Sequence, residues 1–273
     1  MKCVLKYPGA KNRIADWICQ YIPPHEVYLE PYFGSGAVFF AKRPSRIETI
    51  NDMDKEVVNY FRVIREQPEK LVEILKMTPY ARDEYYNACE YIETDTDLER
   101  ARKFAVRCWQ GFGCSNRYRN GFGSSQRKTS PHTTKEWRGI PDRLLMAAER
   151  LKNAQIENLP AVELIKRYDT EDVFIYADPP YLHGTRKNYL YNCEMEDHEH
   201  EELLDILAKH PGKVLLSGYD NDMYNHALKG WKKVQKRTQA EAGIPRIETL
   251  WMNYEIGQQE LEYYMGDMKW KDK

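Results

Sequence analysis

The spacing of apolar and polar residues divides the chain into three stretches. In residues 1–58, Val27–Glu30 and residues 46–51 read as short strands, and Ile14, Trp17, Ile18 and Tyr21 recur at helical spacing across residues 12–22. A further helix begins near Lys55, where Val57, Val58, Phe61, Ile64 and Arg65 continue the pattern. Residues 59–153 are mainly helical and charged, except for residues 112–134, which are rich in Gly, Ser, Asn and Arg and have no period. A segment beyond the ~12–15 residues of an ordinary connection is functional or disordered.

From residue 154 strands and helices alternate again. Val173–Ala177 is an apolar run of five, the pattern of a buried parallel strand. Residues 198–209 read as a helix, 213–217 as a strand, 220–228 as a helix and 247–254 as a last strand. Alternation at both ends around a different middle predicts an open α/β sheet interrupted by an inserted domain. The sheet domain takes residues 1–58 and 154–273, and the insertion residues 59–153.

Composition narrows the class. At 42% hydrophobic residues in 273, the chain can bury a core, which excludes wholesale disorder. Its net charge of −1 excludes a general polycation, so any nucleic-acid surface must be local. The six cysteines, Cys3, Cys19, Cys89, Cys108, Cys114 and Cys193, contain no C-x-x-C pair, which argues against a zinc site. Their scatter fits reduced thiols in a cytosol. With no signal-peptide core and no apolar run near ~20 residues, the expectation is a cytoplasmic protein without a membrane partner.

Asp178-Pro179-Pro180-Tyr181 is the most informative motif. It follows directly on Val173–Ala177, at the strand edge where open α/β sheets bind ligands. The prolines fix φ and remove two donors, leaving a rigid edge rich in acceptors: the Asp178 carboxylate and the Pro179 carbonyl, with the Tyr181 ring beside them. A turn closing a strand is the plainer alternative. An exocyclic aryl amine needs such an edge, because its lone pair is delocalised into the ring. Acceptors on its two N–H bonds draw the nitrogen toward sp³ geometry, stacking holds the base by ~1–3 kcal/mol, and positioning does most of the rest.

Glu30-Pro31-Tyr32-Phe33-Gly34-Ser35-Gly36 follows the first strand and leads into residues 37–41, which can open a helix. Glycines there let a ligand approach the backbone. No Lys-Ser/Thr follows, so this is not a P-loop, and Phe39 stands where G-x-G-x-x-G has its third glycine. Alone, it also suits an ordinary strand-to-helix turn. Asp52, within Asn51-Asp52-Met53-Asp54 and eighteen residues after Gly34, stands where an acidic residue commonly takes ribose hydroxyls; Asp54 is the better helix cap. Glycine turn and acid together imply a nucleoside-bearing cofactor. Lys6-Tyr7-Pro8-Gly9-Ala10-Lys11 precedes the first helix: Lys11 can meet a carboxylate and the amides around Gly9 can assist, though alone the segment reads as a turn. The imidazoles of His198 and His200 are two residues apart, on different faces of a helix, so no metal is expected there.

Taken in order, Lys-Tyr-Pro-Gly-Ala-Lys at 6–11, Glu-Pro-Tyr-Phe-Gly-Ser-Gly-Ala at 30–37, Asn-Asp-Met-Asp at 51–54 and Asp-Pro-Pro-Tyr at 178–181 resemble the Dam-like DNA adenine-N6 methyltransferases. Ser217-Gly218-Tyr219 and Glu248-Thr249-Leu250-Trp251 extend the resemblance over essentially the whole chain. It implies a Rossmann-like seven-stranded methyltransferase sheet, S-adenosylmethionine as cofactor without a metal, duplex DNA as substrate, and a mainly helical target-recognition insertion before the tetrapeptide. By the same resemblance the methionine carboxylate lies near Gly9 and Lys11, the methionyl part near Glu30, Phe33 and Gly34, and the ribose at Asp52, with Tyr7 and Gly36 completing the set. The flipped adenine falls to Asp178 and Tyr181, on the edge that Pro179 and Pro180 stiffen. Where the family has an acidic residue in the strand before the tetrapeptide, this chain carries Pro160, leaving Asn158 or a backbone group to meet the cofactor adenine.

The insertion suits a DNA reader. From Arg100 to Arg138 ten Lys or Arg stand against one acid, Glu136. Asn120-Gly121 is a strong hairpin-turn dipeptide, and a ribbon of this kind can enter the major groove. Arg117, Arg119 and Asn120 are the candidate base readers, and Arg127 and Lys128 the candidate phosphate contacts. A solvated charged face is the alternative. Other acceptors (cytosine N4, RNA or a protein amide) share the chemistry, and a non-enzymatic DNA binder on a decayed scaffold shares the fold. A dinucleotide oxidoreductase fits poorly, because the glycine pattern is incomplete. The recognition sequence, pairing with a cognate restriction endonuclease and oligomeric state stay open.

Overall fold

A computed structural model describes residues 3–113, 119–127, 132–182, 191–239 and 245–256. Seven strands form one sheet: β1 (Val27–Glu30), β2 (Ile47–Asn51), β3 (Ala154–Glu157), β4 (Val173–Ala177), β5 (Lys213–Tyr219), β6 (Lys232–Gln239) and β7 (Pro245–Met252). Their order is β3-β2-β1-β4-β5-β7-β6, and β7 alone is antiparallel to its neighbours. The seven-stranded α/β sheet is therefore as expected. β2 and β3 extend it one way from β1, while β4 and β5 extend it the other. That reversal opens a crevice at the carboxyl ends of β1 and β4, where such sheets bind ligands.

Alternation along the strands feeds two cores. Tyr28, Phe174, Tyr176 and Leu215 face one cluster; Leu29, Ile175, Val214 and Leu216 face the other. Every residue of β4 is buried, as its unbroken apolar run requires.

The helices between β2 and β3 are α3 (Lys55–Glu66), α4 (Pro68–Met77), α5 (Arg82–Ala88), α6 (Asp97–Gln110), α7 (Thr133–Arg138) and α8 (Ile140–Leu151). They share a core with the sheet, in which Tyr60, Phe61, Phe104 and Leu144 join Tyr28 and Ile50. The Asp54 carboxylate accepts the Glu56 N–H at 2.9 Å and caps α3.

Several elements differ from the sequence reading. β5 runs on to Tyr219, the next helix covers only Asp222–Ala227, and β7 covers Pro245–Met252 rather than 247–254. Three further differences have a local cause. The first helix, α1, covers only Ala15–Cys19 rather than 12–22. Beyond it Gln20, Tyr21 and Ile22 make tighter i to i+3 bonds, and Pro23 and Pro24 stop the chain. β3 ends at Glu157, and Pro160 stands at the N-cap of α9 (Ala161–Arg167). β6 lacked a sequence signal because it is an edge strand, Lys-Lys-Val-Gln-Lys-Arg-Thr-Gln, bonded only to β7. Among the described residues no helix is long and apolar enough to cross a membrane.

Candidate active site

The tetrapeptide leaves β4 at the crevice with both oxygens of Asp178 engaged. Lys11 Nζ donates to Oδ2 at 2.7 Å, and Ser217 Oγ, from β5, donates to Oδ1 at 2.7 Å. Lys11 also donates to the Gly9 carbonyl at 3.0 Å and lies 3.7 Å from Glu248 Oε1. An ammonium has three donors, and here three oxygens surround it. Burial works to lower the Lys11 pKa, but Asp178 and Glu248 overcome it and hold the group above its ordinary range. Lys11 is thus a fixed cation in a buried site.

Tyr181 is anchored from below. Its hydroxyl donates to Glu248 on β7, its ring centroid lies 4.8 Å from Lys11 Nζ, and the Tyr219 ring meets it edge-on at 4.4 Å. Burial pushes the Glu248 carboxyl upward, against the pull of Lys11. At the end of β1, buried Glu30 accepts the Tyr28 hydroxyl at 2.6 Å, and burial raises its pKa to about 8.

The glycine turn reaches β2 through Asp52. One Asp52 oxygen accepts the Gly34 N–H at 2.8 Å and the other the Asp54 N–H at 2.9 Å. Burial still raises the Asp52 carboxyl to about 7. Gly36 needs to be glycine twice over: its φ is +66°, and a Cβ would sit 2.4 Å from Phe33 Cζ. Buried Asn51 ties three segments together, donating to the Pro31 and Leu159 carbonyls and accepting the Leu159 N–H.

A cleft of about 260 Å³ runs between these groups. Of the expected residues, Tyr7, Gly9, Lys11, Glu30, Phe33, Gly34, Asp52, Asp178 and Pro180 line it. Gly36, Asn158, Pro179 and Tyr181 are not among the lining residues. Asn158 instead donates to the carbonyls of Asp52, at 2.7 Å, and Met53. Pro160, Ala161 and Val162 form an apolar wall with Met53. Tyr32, inside the glycine-turn motif but given no role there, also lines the cleft, as do Tyr191, Cys193, Met195, Glu199 and Glu202, which no motif marked. Of the two nearby histidines, His198 is exposed and His200 is buried with Nδ1 2.9 Å from the Tyr224 hydroxyl.

The basic excess of the insertion is smaller in space than along the chain. On α6, Arg100, Arg102, Lys103 and Arg107 are paired with Asp97, Glu84 and Glu99, Asp95, and Glu56. The acids lie before residue 100, outside the window in which the charges were counted. The ribbon also differs from a two-residue hairpin: Phe112 N–H bonds the Gly121 carbonyl and Gly123 N–H the Gln110 carbonyl. Asn120-Gly121 therefore lies on the arm that pairs with Gln110 and Phe112, since among the described residues the bonds join Phe112 to Gly121 and Gly123 to Gln110. Exposed Arg119 lies 4.1 Å over the Tyr86 ring, and Asn120 and exposed Arg127 follow on the same segment. Arg117 and Lys128 lie outside the described residues.

Known proteins share this pattern. The chain is 29% identical over 192 residues to Type II methyltransferase M1.LlaDCHI of Lactococcus lactis subsp. cremoris, covering 65% of this chain and 64% of that protein, just under two thirds of its length. It is 23% identical over 293 residues to Type II methyltransferase M.MjaIII of Methanocaldococcus jannaschii, covering 93% and 99%. It is 24% identical over 278 residues to the DNA adenine methylase of Salmonella typhi, covering 94% and 96%. A family profile described as D12 class N6 adenine-specific DNA methyltransferase matches residues 7–242. Across its sheet, glycine turn and tetrapeptide alike, the chain belongs to the D12 class of N6 adenine-specific DNA methyltransferases.

Proposed function

We propose that the chain methylates the N6 amine of adenine in duplex DNA, with S-adenosylmethionine as donor and Asp178 as the group that holds the flipped base. The observation that carries this reading is Asp178 itself, lining the cleft with both oxygens fixed by Lys11 and Ser217. A carboxylate so anchored meets an incoming amine without reorganising, and polar groups fixed in advance in this way supply much of the rate enhancement of many enzymes.

The residues present fit the cofactor. Asp52 offers acceptors for ribose hydroxyls, and the Met53, Pro160 and Val162 wall suits a flat adenine ring. Glu30, a buried carboxyl held up near 8, is stabilised most by a neighbouring positive group, as a sulfonium or ammonium provides. Gly34, at φ +49°, lines the cleft with the Tyr7 ring packed 3.2 Å from where a Cβ would stand, so only glycine fits the turn there. When bound, the cofactor supplies a methyl group on a positively charged sulfur. The chain does the rest. Asp178 and the Pro179 carbonyl accept the two amine N–H bonds and localise the nitrogen lone pair, and Tyr181 packs beside the base, which leaves the stack to reach the site. The proton released goes to solvent.

Lys11 serves the acceptor side in this scheme. Two of its donors go to Gly9 and Asp178 and its charge lies 3.7 Å from Glu248, so it orients Asp178 in preference to a methionine carboxylate. Residues 59–153 form the target-recognition domain, with Arg117, Arg119 and Asn120 toward bases and Arg127 and Lys128 toward phosphates.

The decisive experiment is sequencing with N6-methyladenine detection on DNA from cells expressing the chain. Methylated adenine within one short sequence is expected; N4-methylcytosine, or no mark from folded protein, overturns the reading. Cofactor binding should also be pH-dependent. Hydroxyl donors favour ionised Asp52, whose pKa stands at about 7, so binding releases a proton. The dissociation constant should be about tenfold lower at pH 8 than at pH 6. Free enzyme runs the other way, because a raised carboxyl pKa costs native stability as pH climbs from about 4 to 7. Calorimetric titration of Asp52→Asn should lose the step near pH 7; retention of the full step would clear Asp52 of this role.

A further inference from the structure

The sheet carries a second set of cations far from the insertion. α3 packs on β3 at one end of the sheet, and β6 is the edge at the other. Lys232 and Lys233 at the start of β6 are neutralised by Glu255 at 2.7 Å and Asp220 at 3.2 Å. Lys236, Arg237 and Arg246 lie toward the opposite ends of β6 and β7, and among the described residues no carboxylate stands within ion-pair reach of them. Arg237 is exposed. The Arg246 guanidinium sits 5.4 Å over the Tyr219 ring, with its buried Nε lacking a hydrogen-bond partner, and Lys236 Nζ lies 5.4 Å from the Trp17 ring.

Strand register puts Lys236 and Arg246 on the sheet face of the reaction centre, whereas Arg237, which pairs with Ile247, lies on the other face. Lys236 pairs with Glu248, and Glu248 pairs in turn with Tyr219. Thr238 pairs with Arg246, one row further toward the carboxyl edge of the sheet. Tyr219 touches Tyr181, so the guanidinium of Arg246 stands two rings from the tetrapeptide. Aromatic faces hold both Lys236 and Arg246 without consuming their charge.

A duplex carries one negative charge per about 1.7 Å of axis, so DNA presenting a base to Asp178 has phosphates on both flanks of the cleft. The insertion addresses one flank. We propose that Arg246 and Lys236 bind phosphates on the other, making the β6–β7 edge the second wall of the DNA-binding cleft. The inference rests on the DNA-methylating reading above and extends it to a surface outside the insertion. These contacts carry affinity and register, without sequence preference.

The test is fluorescence anisotropy of a labelled random-sequence duplex across a salt series. Arg246→Gln and Lys236→Gln should each reduce the slope of log affinity against log salt by about 0.9. Lys232→Gln is the control: it removes the same charge from the same strand, four residues away or about 13 Å, at the opposite sheet edge. Its slope should match wild type. Unchanged slopes for both Arg246→Gln and Lys236→Gln, or an equal loss in Lys232→Gln, overturn the proposal. Lys236 stands on the edge strand, so its variant keeps the test valid should Arg246→Gln fail to fold. Wild-type protein that leaves adenine unmethylated refutes the proposed function, whereas methylating wild type with unaltered variants refutes the second wall alone.

Discussion

Asp178→Ala is expected to lower single-turnover methyl transfer by at least about 10²–10³-fold, the usual cost of deleting one preorganised polar group at the reacting centre. Cofactor affinity should survive, because the groups suited to the cofactor are Glu30, Asp52 and the glycine turn, none of which bonds to Asp178. The split between rate and binding separates an acceptor from a scaffold residue. Asp178→Asn is nearly as damaging: its amide keeps one acceptor but turns an N–H toward either Lys11 or Ser217, both of which now donate. Ser217→Ala removes one of the two anchors and should fall between variant and wild type. Tritiated methyl transfer at saturating cofactor, with binding measured by calorimetry, checks all three. Near wild-type transfer by Asp178→Ala would remove it from the chemistry.

Much of this architecture was legible because its signals are local. β1 and β4 keep the ends that their sequence predicts, the first by its position before a glycine turn and the second by five apolar residues in a row. Asp54 as cap and Asp52 as the acid facing the cleft also follow from spacing. The unread parts depend on what lies opposite. β6 is strand only because β7 lies beside it, and four cations of α6 look free until acids from earlier turns are set against them. Lys11 is the clearest case. Its position suggests a ligand carboxylate, and only the crossing of β4, β5 and β7 brings Asp178, Ser217 and Glu248 around the same few ångströms. Even Pro160, which reads as a lost contact along the chain, occupies the cleft wall as apolar surface.

That crossing makes Lys11→Gln the most telling substitution after Asp178. Breaking a buried ion pair costs about 3–5 kcal/mol, since the partner charge stays behind. Here two partners stay behind: Asp178 Oδ2 was 2.7 Å from the ammonium and Glu248 Oε1 3.7 Å. Burial already pushes the Glu248 carboxyl up, and loss of Lys11 removes the main force holding it down. Loss of the ammonium should therefore raise the Glu248 carboxyl further. The acid limb of the transfer rate should then move to higher pH, and alkaline pH should restore part of the loss. Stability follows the same sign. A raised carboxyl pKa favours the protonated native state, so the variant's deficit should be greatest at high pH and shrink as pH falls through the raised value. Lys11→Arg keeps the charge and should retain the wild-type pH profile at reduced rate. An unshifted profile for Lys11→Gln, or a tenfold loss of cofactor affinity with undiminished saturating rate, would return Lys11 to the cofactor.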